Sequence, residues 1–145
     1  MSRTAKPLFA ALLLAMQATG PAFAATCTSQ STPVSFGTYD TLELSPLDGV
    51  GDVIVQCDSA TAFTIDLGPG EGTISRRVMM GSGGTLDYNL YTDATRTILW
   101  GDGVSGSAVS SSGSNVTATV YGRIPARQNV TAGAYSDVVT VTISY

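Results

Sequence analysis

Residues 138–145 read VVTVTISY, and the reading of this run decides the fold. Its residues are β-branched, aromatic or small hydroxyl types. Val139, Val141, Ile143 and Tyr145 fall on one face at period two, with Thr140, Thr142 and Ser144 on the other. The segment just upstream, VTATVYGRI (116–124), repeats the pattern, with Val116, Ala118 and Val120 alternating with polar residues. Neither a charge nor a proline interrupts 138–145, although those are devices with which proteins blunt an open sheet edge. The run therefore reads as a strand that carries none of the usual edge protection.

Working outward, the same vocabulary recurs. DVIVQC (52–57) and AFTIDLG (62–68) alternate cleanly, the second placing Phe63, Ile65 and Leu67 against Thr64 and Asp66. TPVSFGTY (32–39), RRVMM (76–80), LDYNLYTD (86–93) and TILWGDG (97–103) add further strand and turn segments, separated by DTLELSPLDGVG (40–51) and GPGEGT (68–73), which are rich in turn residues. GVSGSAVSSSGSN (103–115) reads as a mobile Gly/Ser-rich loop. Helical periodicity, internal repeats and heptads are absent. About seven short strands between turn signals predict an all-β, immunoglobulin-like β-sandwich.

The other end is built differently. Arg3 and Lys6, the apolar LFAALLLAMQA (8–18) and the small-x-small AFA (22–24) make up a secretory signal, so 1–24 is expected to be removed and 25–145 to form one domain. The apolar run is too short to span a bilayer, and no membrane insertion is expected. Arg3 and Lys6 leave with the signal, so of seven basic and eleven acidic residues five and eleven remain, and the formal net charge moves from −4 to −6. An acidic chain with scattered arginines has no electrostatic reason to bind nucleic acid.

Most catalytic chemistry is excluded by composition. The chain has no His, and its single Lys departs with the signal. The commonest general base, the commonest transition-metal ligand and the usual Schiff-base amine are therefore missing. The acidic residues sit mostly in turn contexts, and no calcium-loop spacing continues from DGVGD or GDG. No enzyme activity and no cofactor or metal are expected. Cys27 and Cys57 are the only cysteines; in an oxidising compartment they are expected to pair as a structural disulfide worth about 3.5 kcal/mol in the chain-entropy description. Met79, Met80 and Trp100 are candidates for surface-binding loops, against the alternative that aromatic and Met stripes form core.

One stretch carries a resemblance. VYGRIPARQNVTAGAYSDVVTVTISY (120–145) resembles the closing segment of the spore coat protein U family, whose members include subunits of Csu-type (archaic) chaperone-usher pili. An early cysteine followed by FGTYD (36–40), then VQC (55–57), LDYNLYTD (86–93) and LWGDG (99–103) agree in order. The resemblance implies an incomplete immunoglobulin-like domain finished by a strand from another protein. A periplasmic chaperone would lend that strand first, an outer-membrane usher would handle assembly, and the N-terminal extension of another subunit would replace the chaperone's strand. The chain would then be exported through the periplasm to the cell surface as part of an adhesive pilus. Val116, Ala118, Val120, Val139, Val141, Ile143 and Tyr145 are expected to line the groove that takes the strand. Only Ala25 and Thr26 separate the expected cleavage point from Cys27, whereas a donor segment needs around ten residues at ~3.3 Å each; an acceptor-only subunit is the expectation. A stand-alone secreted coat or surface-binding protein is the alternative.

Overall fold

Alternation of buried and exposed side chains along two long strands builds most of the structure. The computed structural model describes residues 24–145, so the expected signal, except Ala24, lies outside the described residues. The elements are seven strands: β1 (Cys27–Ser35), β2 (Leu47–Leu67), β3 (Arg77–Gly81), β4 (Gly84–Tyr91), β5 (Val109–Ile124), β6 (Tyr135–Ser136) and β7 (Val141–Ser144). They form one all-β sheet in the order β1-β2-β5-β4-β3-β6, every pairing antiparallel, with β7 paired to β2 off that path. The sheet curls over itself, so inward side chains from its two halves meet in one core containing Val53, Val55, Phe63, Ile65, Leu67, Leu86, Tyr88, Leu90, Trp100, Val120 and Ile124. This two-layered arrangement is what the period-two runs predict.

Three boundaries differ from the sequence reading, each for a physical reason. DVIVQC and AFTIDLG are not separate strands; they are two halves of β2, whose inward set keeps its odd numbering from Val53 to Leu67. The bend between them is a register shift. Four residues of β2, 57–60, stand opposite the single Ser114 of β5, and such an irregularity bends a ladder without ending it. The expected mobile loop at 103–115 is half strand, because β5 begins at Val109. At Gly113, with φ +150, the inward set of β5 passes from odd to even numbers; only glycine takes that conformation readily. Finally, 138–145 is not one strand. Tyr135–Ser136 pairs with β3, the chain leaves the sheet at 137–140, and Val141–Ser144 pairs with Thr64–Leu67 of β2.

β1 and β7 lie in succession along the same edge of β2, opposite β5. The Cys27–Cys57 disulfide, with Cα atoms 4.0 Å apart, ties the first residue of β1 to its partner across the ladder. At its other end β1 bulges between Thr32 and Ser35 and carries Phe36 over the inner surface. The lack of a side chain at Gly122 permits this, since a Cβ there would lie 2.6 Å from the Phe36 ring and 2.7 Å from Val34.

Trp100 and Arg77 close one side of the core. Trp100 has 0% exposure, and its indole N–H donates to the Ile65 carbonyl at 3.0 Å. Arg77 is equally buried. Its guanidinium donates to the carbonyls of Gly68 (2.7 and 2.9 Å), Trp100 (2.8 Å), Leu67 (3.3 Å) and Ile74 (3.5 Å), and to Asn89 Oδ1 (2.9 Å). Burial lowers the Arg77 pKa, and these acceptors replace the water it loses.

Candidate functional site: a groove between the sheet's end strands

The hydrogen-bonded path β1-β2-β5-β4-β3-β6 has two ends, and both line the same groove. Its volume is about 1050 Å³. Ser31–Ser35 of β1 and the following residues 36–41 contribute one part of its lining, and Tyr135 and Ser136 of β6 with residues 130–134 another. The floor is core: Val53 and Leu67 of β2, Met79 of β3, Leu86, Tyr88 and Leu90 of β4, and Val120 and Ile124 of β5. The groove is partly open to solvent, so the core side chains of its floor lack facing atoms on that side and forgo the dispersion contacts these would give.

Side-chain bonds hold the surrounding segments in place where the ladder cannot. Tyr39 Oη donates to the Pro125 carbonyl at 2.8 Å and accepts from the Gln128 N–H at 2.8 Å, tying the segment after β1 to the segment after β5. Gln128 extends a broken ladder. Continuing the β4–β5 register past Asn89↔Arg123 sets Pro125 opposite Asp87, and proline has no N–H to give. The Gln128 side-chain amide supplies the missing pair: Oε1 accepts from the Asp87 N–H and Nε2 donates to the Asp87 carbonyl, both at 2.8 Å.

The third link is polar and lies against the apolar floor. Tyr88 Oη donates to Asp137 Oδ2 at 2.6 Å, while Asp137 Oδ1 accepts from the backbone N–H groups of Val138 (2.8 Å) and Glu71 (3.1 Å). One carboxylate thus joins the exit of β6, the loop after β2 and a core tyrosine. Burial first, then the bond to Asp137, pushes the Tyr88 hydroxyl well above the usual phenol range. Near this link Phe36 meets the Tyr88 ring edge-on, with centroids 6.1 Å apart.

The structure distributes the expected groove residues unevenly. Val120, Val139 and Val141 line the groove. Val116, Ala118 and Ile143 are half-buried against the same core but outside its lining, and Tyr145 is 59% exposed. For the expected surface-binding residues the structure brings a correction. Trp100 is fully buried and Met79 is part of the groove floor, because both point inward to fill the core; of the three only Met80, on the opposite face of β3, is exposed. Sequence reasoning did not assign Leu86, Tyr88 and Leu90 to the groove. Their alternation within LDYNLYTD was visible, but only the fold brings them opposite β2 and β5.

The carboxylates of the groove face no imidazole, since the chain has none, and among the described residues no three His, Cys, Asp or Glu side chains gather to hold a metal ion. What the site offers is an apolar floor, empty volume and the free edges of end strands.

Three comparisons relate the chain to known proteins. The sequence matches the Spore Coat Protein U domain over residues 12–142. It is 35% identical over 128 residues to Protein U of Myxococcus xanthus, covering 77% of this chain and 71% of that protein. Among solved structures it is similar to a chain in the crystal structure of the CsuC–CsuE chaperone–tip adhesion subunit pre-assembly complex, from archaic chaperone-usher Csu pili of Acinetobacter baumannii. The TM-score is 0.56 at 22% identity, covering 84% of this chain and 40% of that chain, a likeness of fold. With nearly its whole length matched and a 35% identical relative beside it, the chain belongs to the Spore Coat Protein U domain family.

Proposed function

We propose that this protein is a non-enzymatic structural subunit of a chaperone-usher pilus, completed by a strand from another polypeptide that enters the groove between β1 and β6. The observation that carries the reading is the shared groove itself: both end strands of the sheet and eight core side chains line it. A strand seated there would pair with an end strand and fill the void. Five antiparallel steps separate β1 from β6, so a strand bonded to both must run antiparallel to one and parallel to the other. The partners on this reading are a periplasmic chaperone that first supplies the strand, an outer-membrane usher and other pilus subunits. The protein is exported through the periplasm to the cell surface.

Within a fibre the subunit accepts a strand without donating one. Two features support this: the expected cleavage after Ala24 leaves Ala25 and Thr26 before Cys27, and Cys27 is itself fixed to β2 by the disulfide. N-terminal sequencing of the exported protein checks the point; a mature start leaving ten or more residues before Cys27 would overturn it.

A second reading, a stand-alone coat or surface-binding protein, draws on the 35% identity to Protein U. Periplasmic expression with and without the chaperone separates the two. The pilus reading expects the subunit to accumulate only with the chaperone and to co-purify with it, one to one. A stable soluble monomer made alone favours the coat protein and defeats strand acceptance.

A further inference from the structure

An apolar side chain of the chain's own already lies in the groove. Phe36, carried inward past the bulge at the end of β1, is part of its lining. The ring rests where two glycines face each other. Gly49 of β2 pairs with Gly122 of β5, and both are buried, on the same parity that turns Val53 and Val120 into the core. A Cβ at Gly122 would stand 2.6 Å from Phe36 Cζ, and one at Gly49 would stand 3.0 Å from Cδ1. The pair of absent side chains is therefore a seat, and the ring fills it. From that seat Phe36 also meets Tyr88 of the floor edge-on, at 6.1 Å between centroids. Phe36 stays half-buried, so the surface it leaves uncovered in the lining is offered to an occupant.

Resting on the strand-acceptor reading, we infer that Phe36 sets the size of one residue of the occupant. The segment carries large apolar side chains on its inward positions except at the one that meets Phe36, where it carries a small one. Inward positions follow at every second residue of a strand, so a single ring governs a single position. Along the rest of the floor, Leu67, Leu86 and Ile124 reward a large side chain by the apolar surface it covers. At Phe36 that surface is already covered from within the chain. The ring has no room to retreat, because the backbone of the Gly49–Gly122 pair lies directly behind it. A second large side chain pressed against it forces rotamers and backbone out of place, as overpacking does in any filled interior.

A set of synthetic peptides of about 11 residues, enough to span a strand at ~3.3 Å per residue, provides the test. All share one alternation with leucine on the inward positions, and each member carries alanine at a different one of them. The full mature chain is refolded with each, and binding is followed by Trp100 fluorescence and native electrophoresis. With the natural chain, alanine should weaken binding on the order of tenfold or more at most positions, through the lost apolar surface, and should strengthen it at one. In Phe36→Ala that one position should reverse and favour leucine, while the others keep their preference. Phe36→Leu, the gentler change, should diminish the preference for alanine at the same position, and it decides the matter if Phe36→Ala does not refold. A preference for leucine at every position of the natural chain overturns the inference, and so does a small-residue position that both substitutions leave unchanged. Failure of every peptide to bind overturns strand acceptance, and this inference with it.

Discussion

The two sides of the core are closed by different means. On the side of Trp100 and Arg77, a tryptophan and a guanidinium, both fully buried, lock the end of β2 to the loop after β4 through backbone carbonyls. On the groove side the chain is held by three isolated side-chain links, through Tyr39, Gln128 and Asp137, with about 1050 Å³ left unfilled between them. The first side is a finished protein interior. The second has the links of a frame with a groove left open between them.

From that contrast, the largest effect of substitution is expected on the finished side. Arg77→Met removes the donor shared by several buried carbonyls and Asn89 Oδ1. Each buried acceptor left unpaired costs about 1–3 kcal/mol, so a loss of at least ~3 kcal/mol is expected in urea unfolding of the peptide-complemented protein. A change below 1 kcal/mol would mean that this side is no tighter than the groove.

The disulfide comes next, because it anchors an end strand of the sheet. Replacing both Cys27 and Cys57 by Ala is expected to cost about 2–4 kcal/mol. Its signature differs from that of Arg77→Met. Hydrogen exchange should accelerate along Cys27–Ser35, and binding of a donor peptide should weaken with it, since β1 carries one free edge of the groove. Unchanged exchange in β1 would detach the disulfide from the groove.

The same contrast marks how far the sequence could be read. Wherever one face is apolar and the other polar, as at Val53, Val55, Phe63, Ile65 and Leu67, period two located the strand and its inward side. At Val109–Asn115 it did not, because serines occupy both faces and Gly113 reverses the inward parity; composition there looked like a loop. The final run was recognised as sheet, yet its break at 137–140 depends on Asp137 turning to Tyr88 and Glu71, residues far away in sequence. The groove was legible only in part for the same reason. Val120, Val139 and Val141 lie on alternating runs, while the floor residues from β3 and β4 reach it through the curl of the sheet. Arg77 gave no signal at all: a basic residue next to Arg76 looks like surface until the fold surrounds it with carbonyls.

Asp137 sharpens the comparison from the groove side. Asp137→Ala removes the acceptor of three donors, one of them the buried Tyr88 hydroxyl. The expected loss is about 1–3 kcal/mol, smaller than that of Arg77→Met because the two backbone N–H groups lie nearer water. Faster exchange should be confined to Tyr135–Val139 and the loop at 68–72. An effect spread evenly through β2 and β5 would show that the groove side is not separately held.

Acid should have the smallest effect. The bidentate bond from Arg123, aided by Arg96, lowers the Asp48 pKa, and hydrogen bonds from Thr95, Thr97 and the Ile98 N–H lower that of Asp93. Backbone N–H groups of Ser105 and Val104 do the same for Asp102. Each folded-state value lies below the unfolded one. The stabilisation is therefore fully present above the ordinary carboxylate range near pH 4 and is lost as pH falls through the folded values. Thermal unfolding should be flat from pH 7 to about pH 5 and decline below pH 4, and Asp48→Asn should remove part of that decline with a loss at neutral pH of no more than ~1 kcal/mol, as for exposed pairs. All three carboxylates lie outside the groove lining. Acid should therefore loosen the Asp48–Arg123 contact between β2 and β5 and the 93–105 loops, read as faster hydrogen exchange there as pH falls below 4, and unchanged exchange at those positions would show that these bonds carry none of the decline.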